Sequence, residues 1–280
     1  MIKILTDSAA DISFAEAKIL GIDILPLKIV FPDRVYSQDI DITIAEFYQK
    51  LSTAEKLPST SQANPGDYLP FFTAAKEAGD SVLVIALSGE LSGTMQSAVL
   101  AKEMAGYEDI HIVDSRQAVV GQRLLVEYGV KLRKEGKSAG EIAAILLEAR
   151  HRVALWGMVD TLKYLHKGGR LSTSAAMVGT MLHVKPIIAV QDGVIVLLDK
   201  ARGAKGGMKS LLRMIDGKKD FDPTVPIYFG YSGADDQMGR TFQAMAEEEF
   251  AFTATSLHPI GSVVGAHIGP GAIAIAYLVK

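Results

Sequence analysis

A chain of 280 residues, 49% hydrophobic and 22% charged, holds enough apolar material for one large domain or two ordinary ones and lacks the composition of a disordered chain. Its formal net charge is −3 with Lys and Arg dispersed, so there is no basic stripe to neutralise a phosphate backbone, and nucleic acid is not an expected partner. The absence of cysteine removes disulfides, thiolate nucleophiles, zinc knuckles and iron–sulfur clusters, and fits a cytoplasmic protein.

The amino terminus reads Met1-Ile-Lys-Ile-Leu-Thr-Asp-Ser and reaches Asp7 too soon for a signal peptide. No apolar run approaches the roughly eighteen residues of a membrane span, so integral membrane association is not expected. Ile2 to Leu5 predicts a buried strand closed by Thr6-Asp7-Ser8, and Phe14 to Leu20 a helix stopped by Gly21. Strands are expected at Ile22 to Phe31, Ser81 to Leu87 and Ile110 to Val113, alternating with helices around Ile44 to Leu51, Tyr68 to Ala78 and Met95 to Met104. That alternation predicts a mainly parallel sheet covered on both faces, a three-layer α/β/α domain.

Helices at Val119 to Glu135 and Ala139 to Arg150 then lead to a strand at Val153 to Val159. Beyond it the pattern changes. Val184 to Gln191 and Val194 to Leu198 are joined only by Asp192-Gly193, a dipeptide suited to a type I′ turn, so they predict a hairpin. Helices near Lys205 to Asp216 and Asp236 to Phe250 alternate with strands at Pro226 to Tyr231, Phe252 to Leu257 and Ala272 to Val279. The second part is therefore expected to be an α/β domain with a mixed sheet, residues 161–280, following a parallel-sheet domain of residues 1–160.

Loops at the carboxyl ends of parallel strands face a common crevice, and they hold most of the candidate polar chemistry. Ser88-Gly-Glu-Leu-Ser92-Gly93-Thr94 reads either as an anion-binding loop at a helix amino terminus or as an ordinary helix start capped by Ser92 or Thr94. Pro58-Ser-Thr60-Ser61-Gln62 is a second hydroxyl cluster, with the plainer interpretation of a loop before a cap at Asn64. Lys167-Gly-Gly-Arg170-Leu-Ser172 is a carboxylate or phosphate clamp, or solvated cations beside a turn. Arg202 closes the hairpin arm and fits a solvent-facing strand end equally well. His267 precedes the rigid Gly269-Pro270-Gly271 turn, where a hydrogen-bonded structural histidine is the default.

Several motifs fail. Glu90 stands where a nucleophile elbow needs glycine two places before Ser92. Gly203 to Ser210 comes within one residue of a P-loop, but Met208 replaces its second glycine. The six histidines have no metal-ligand spacing, so no metal site is expected.

Taken together, Thr6-Asp7-Ser8, Thr60-Ser61-Gln62, Leu91-Ser92-Gly93-Thr94, Val113-Asp114-Ser115, Gly169-Arg170-Leu171-Ser172, Lys185-Pro186-Ile187, Arg202 and His267 with Gly269-Pro270-Gly271 resemble the bacterial DegV family, nearly end to end. Members of that family are similar to the fatty-acid-binding subunit of fatty acid kinase. The resemblance implies a lipid-binding protein with no catalytic residues and no cofactor beyond its bound long-chain fatty acid. The acyl tail would lie in an apolar tunnel, its carboxylate held by Thr60, Ser61, Ser92 and Gly93, with His267 beside it. Arg170 and Arg202 would face the headgroup or a separate ATP-dependent kinase partner that makes an acyl phosphate. The sequence departs from the usual pattern at Ala63 and Gln38, both beside the headgroup loops. Ala175 to Ile188, with Met177, Val178, Met181 and Leu182, reads as tunnel lining or as plain core.

The enzyme alternative is a serine hydrolase or acyltransferase in which Ser92 is the nucleophile and His267 the base, oriented by Asp7 or Asp114.

Overall fold

The first apolar run ends where polar side chains take over its backbone. β1 (Ile2–Asp7) passes into a 3-10 turn, Ser8–Ala10, whose start is capped by the Asp7 carboxylate accepting from Ala9 N–H. The computed structural model describes residues 1–171, 184–217 and 220–280. There follow α1 (Phe14–Leu20), β2 (Asp23–Leu25), β3 (Lys28–Val30), β4 (Val35–Ser37), α2 (Ile44–Thr53), β5 (Ser59–Ser61), α3 (Pro65–Ala78), β6 (Ser81–Ala86), α4 (Thr94–Ala105) and β7 (Ile110–Asp114). Local chemistry sets several of these ends. Ser13 with Glu16 and Thr43 with Glu46 form capping boxes at α1 and α2, and Gly21 closes α1 in the left-handed conformation expected of a helix-terminating glycine.

Strands β2, β1, β6 and β7 form, in that order, a fully parallel four-stranded sheet. The single strand expected over Ile22 to Phe31 is in fact two strands in different sheets. Pro26 has no N–H with which to extend the ladder, and the N–H of Leu27 turns instead to the Ser8 hydroxyl at 3.0 Å. β3 then pairs antiparallel with β4 and β5 in a small third sheet. The segment read as a loop at Pro58 to Gln62 thus contains a strand, β5, and Thr60 lies opposite Ile29.

α5 (Val119–Lys134) and α6 (Ala139–Ala149) follow, then β8 (Val153–Met158), α7 (Lys163–Lys167), β9 (Val184–Gln191), β10 (Val194–Arg202), α8 (Gly203–Asp216), β11 (Ile227–Tyr231), α9 (Gln237–Glu249), β12 (Thr255–Pro259), α10 (Ser262–Ile268) and β13 (Ile273–Leu278). The second sheet has the order β10-β9-β8-β13-β11-β12 and is mixed, since β11 and β12 are parallel and its other pairings antiparallel. β8 precedes residue 160 and belongs to this sheet. The strand expected at Phe252 to Leu257 runs instead over Thr255–Pro259.

α5 packs on β1 and β6 of the first sheet and on β8, β11 and β13 of the second. Lying between two sheets, it buries polar side chains as well as apolar ones, and each needs partners there. Gln122 donates to Thr6 Oγ1 at 3.2 Å, and Arg123 donates to Asp11 O at 2.8 Å while pairing with Glu16 and Glu127. α8 and α9 pack on the second sheet. No described helix is long and apolar enough to cross a membrane.

Candidate functional site

The Asp-Ser pairs that end β1 and β7 shape the loops around the crevice. Asp7 is buried and accepts from Leu87 N–H at 2.7 Å as well as from Ala9 N–H, which fixes the exit of β6; Ser8 does the same for Leu27. Burial pushes the Asp7 carboxyl up to about 6 although these N–H groups oppose the shift. At β7, Asp114 accepts from Gly89 N–H at 3.2 Å and Arg116 N–H at 2.9 Å. These carboxylates hold loops in place.

Leu27 and Leu87, positioned in this way, help to wall a cavity of about 290 Å³ that also receives Thr60, Ser61, Gln62, Ser92, Arg170 and His267. Five of the residues expected at a headgroup therefore meet in one cavity. Ser92 accepts from Thr94 N–H at 3.3 Å and shares a 2.9 Å hydrogen bond with the Thr94 hydroxyl, so it shapes the start of α4 and lines the cavity as well. Gly93 is the residue before α4, and a Cβ there would fall 2.1 Å from the Gln62 amide oxygen; its bareness lets Gln62 lie against the loop and donate to Ser97. Gln62 is a wall residue missing from the expected site.

His267 stands ahead of the Gly269-Pro270-Gly271 turn, near the end of α10. The first turn of that helix is held by distant side chains: Asp11 accepts from Gly261 N–H at 2.8 Å and Gln38 from Val263 N–H at 2.9 Å. α10 supplies Val263, Val264 and Ile268 to the same cavity. Its histidine lies with Nε2 2.8 Å from Thr60 Oγ1, while Nδ1 is buried with no hydrogen-bond partner among the described residues and faces Gly168. Burial, and then the neighbouring Arg170, push the imidazole down to about 4, so at neutral pH it is uncharged. A proton on Nδ1 would be a buried orphan donor, whereas on Nε2 it is donated to Thr60. The hydrogen-bond network thus assigns the Nε2–H tautomer and leaves the Thr60 hydroxyl hydrogen free for an acceptor in the cavity.

Arg170 donates from Nε to Leu91 O at 3.1 Å and from Nη1 to Gly168 O, which leaves Nη2 without a hydrogen bond among the described residues. Its side chain, Thr60 and His267 also border an outer cavity of about 430 Å³ that carries Lys56, Tyr164 and Lys167. In the other direction Ala118, Ile195, Val264 and Ile268 are shared with a cavity of about 60 Å³ whose walls are almost wholly apolar, Val190, Gly157 and Ala274 among them. Of the stretch expected as tunnel lining, Ile188 borders this inner cavity; Met177, Val178, Met181 and Leu182, like Ser172, lie outside the described residues. Arg202 lines none of these cavities and is exposed at the junction of β10 and α8.

A hydrolytic triad is not assembled. The Nε2 of His267 is engaged by Thr60 and its Nδ1 faces Gly168, while the carboxylates of Asp7 and Asp114 are occupied by backbone N–H groups.

A family model described as "Uncharacterised protein, DegV family" matches residues 1–280. The chain belongs to the DegV family. A DegV domain-containing protein of Clostridium perfringens is 35% identical over 282 residues, covering 98% of this chain and 96% of the relative. Among solved structures, a DegV family protein from Thermus thermophilus described as fatty acid binding superposes with a TM-score of 0.90 at 28% identity, covering 100% of this chain and 99% of that one. A stearic-acid-binding protein from Eubacterium ventriosum matches with a TM-score of 0.89 at 28% identity and the same coverage. The parallel four-stranded sheet and the mixed six-stranded sheet of this DegV chain are thus a shared framework.

Proposed function

We propose that this DegV protein binds a long-chain fatty acid, with its carboxylate among Thr60, Ser61, Ser92, Gly93 and His267 and its tail directed past Ala118 and Ile195 into the apolar cavity. The observation that carries the reading is adjacency: a hydroxyl-lined chamber shares four apolar wall residues with a space walled almost entirely by hydrocarbon. An amphiphile with one small acidic end fits such a gradient. Each methylene buried contributes roughly 0.8 kcal/mol toward an association cost of about 4–15 kcal/mol. The tail supplies affinity, while the free Thr60 hydroxyl and Arg170 offset the desolvation of the carboxylate and set its position. Relatives described as fatty-acid-binding support the same ligand class.

Residues 1–160 supply Thr60, Ser61 and Ser92, and residues 161–280 supply His267, Arg170 and much of the tail wall, so the ligand is held between the two parts. The chain itself performs no chemistry in this reading and works in the cytoplasm. It presents the carboxyl end to a separate ATP-dependent kinase that forms an acyl phosphate, with Arg202 and the outer cavity at Arg170 facing that partner.

Native mass spectrometry of the purified protein is expected to show a fatty acid at near-stoichiometric occupancy; protein that is empty as purified and takes up no added fatty acid would refute the proposal. Thr60→Val, which keeps the shape of the side chain but deletes its hydroxyl, is expected to weaken binding to delipidated protein by about 1–3 kcal/mol. An unchanged Kd in a fluorescent fatty-acid displacement assay would mean that the carboxylate lies elsewhere.

A further inference from the structure

We infer that the tip of the β9–β10 hairpin is a flap over the ligand cavity, latched by Ser88, and that it must lift for a fatty acid to enter or leave. The inference rests on the ligand class proposed above but draws on separate observations. β9 pairs with β8 at only three positions, Ile187, Ile188 and Ala189. Beyond Ala189 the ribbon continues through Gln191, turns at Asp192-Gly193 and returns from Val194; among the described residues its one pairing outside itself is an isolated parallel bridge between Ile195 and Leu171. A two-stranded ribbon is marginally stable alone and depends on what it touches.

The tip touches the loop that follows β6. Ser88 Oγ donates to Gly193 O at 2.8 Å in a buried contact, and the Asp192 carboxylate lies 3.7 Å from Arg116. Asp192 is 87% exposed, so that ion pair is screened and holds little; among the described residues the tip is otherwise latched by one neutral hydrogen bond and the single bridge of Ile195 to Leu171. Gly193, at φ +86°, lets the backbone approach so closely that a Cβ there would stand 2.7 Å from Ser88 Oγ. Under the tip lie the two residues whose removal opens the site: Val190 walls the apolar cavity, and Ile195, its cross-strand partner, walls both cavities. A register shift between Leu197 and Asp199 interrupts the ladder opposite Ile188 and Ile187, where β9 is still held by β8, so the ribbon is anchored up to Ala189 and free to move only beyond it. The contacts that hold the tip are few and the surface it covers is apolar. Lifting the tip therefore opens a path for a hydrocarbon chain while the core of the second sheet stays paired.

The absence of cysteine makes the test clean. In the Glu90→Cys/Gly193→Cys double variant the two Cβ atoms would be 3.5 Å apart, within disulfide reach, and neither residue lines the ligand cavity. Once mass spectrometry verifies the bond, stopped-flow exchange of cis-parinaric acid is expected to be at least a hundredfold slower, in both directions, in the oxidised form than in the reduced form of the same variant. Ser88→Ala is expected to speed exchange several-fold. Binding with equal exchange rates in the oxidised and reduced forms overturns the flap and leaves the ligand assignment standing. If the parent binds no fatty acid, the ligand assignment fails, and the flap is judged by amide hydrogen exchange: the 190–195 amides should exchange faster than those of 187–189, and faster still in Ser88→Ala. Equal protection of the two segments overturns it.

Discussion

Gly269→Ala is expected to cost about 2–6 kcal/mol of folding stability, far more than an alanine at an ordinary helix-ending glycine. Gly269 directly follows α10 at φ +73° and ψ −179°, a region essentially reserved for glycine, where a side chain adds about 1–3 kcal/mol of strain. Its Cβ would also stand 2.4 Å from the Tyr164 ring, an overlap that forces α7 or α10 to move and adds about 1–3 kcal/mol. Gly79 supplies the control. It ends α3 at φ +67° with nothing within 4 Å of a Cβ, so Gly79→Ala bears only the left-handed backbone cost of about 1–2 kcal/mol. Urea midpoints of the two variants, at unchanged m, decide the matter. Equal losses would mean that Tyr164 does not pack where α10 ends, and would remove one of the contacts that place His267.

That packing shows why part of the site was legible in the chain and part was not. Period and run length are local properties, and the strands that depend on them, β1, β6, β7 and β8, were foreseeable, as was the hairpin from Asp192-Gly193, both residues of which adopt positive φ. The β3–β4–β5 sheet was not, because three-residue strands are too short for a period to register. Thr60 is presented by that sheet. α10 was missed for a different reason: its first turn is capped by Gln38 and Asp11, more than 220 residues away, so no cap is written beside it.

The same distinction separates residue type from residue role. Hydroxyl and glycine clusters at strand ends marked Thr60, Ser61, Ser92 and Gly93, and the chain brings them together around one crevice. Thr6-Asp7-Ser8 has the same polar look yet faces inward: Thr6 donates to Ile85 O at 2.7 Å and Asp7 and Ser8 fix neighbouring loops. Direction of the side chain, which sets that difference, depends on tertiary packing. The family resemblance grouped Arg202 with Arg170 as facing the headgroup or a partner; Arg202 is exposed and does not line the cavity that Arg170 borders. The apolar cavity follows from side-chain volume on facing elements. Gly157 and Ala274 are paired neighbours on β8 and β13, and the space above them exists because neither fills it.

His267→Gln is expected to flatten the acid side of the stability profile. In the folded, delipidated protein burial holds this imidazole at about 4, well below its ordinary value near 6.5. As pH falls through 6.5 the unfolded chain takes up a proton that the folded chain refuses, so stability present above 6.5 is lost progressively down to about 4, by roughly 2–3 kcal/mol for one histidine. His258, also pushed down to about 4 by burial and then by Arg123, loses stability over the same window. Asp7 acts in the opposite sense. Its folded pKa of about 6 is raised, so its contribution is lost as pH rises through 6 and regained on acidification, and Asp11, raised by burial, adds in the same direction. Glu16, held down to about 2 despite its partial burial by Arg123 and Ser13, adds its loss mostly below the window, between about 4.5 and 2. The parent profile is thus a sum of opposed terms, and the informative quantity is a difference. Between pH 6.5 and 4, His267→Gln should lose about 2–3 kcal/mol less than the parent in chemical denaturation. A fatty acid carboxylate seated beside Thr60 would favour the protonated ring, raise its pKa and shrink the same loss in parent protein. Parallel pH profiles for parent and variant would show that the imidazole is not held neutral by its burial, and an acid loss in the parent that stays the same with and without fatty acid would place the carboxylate away from His267.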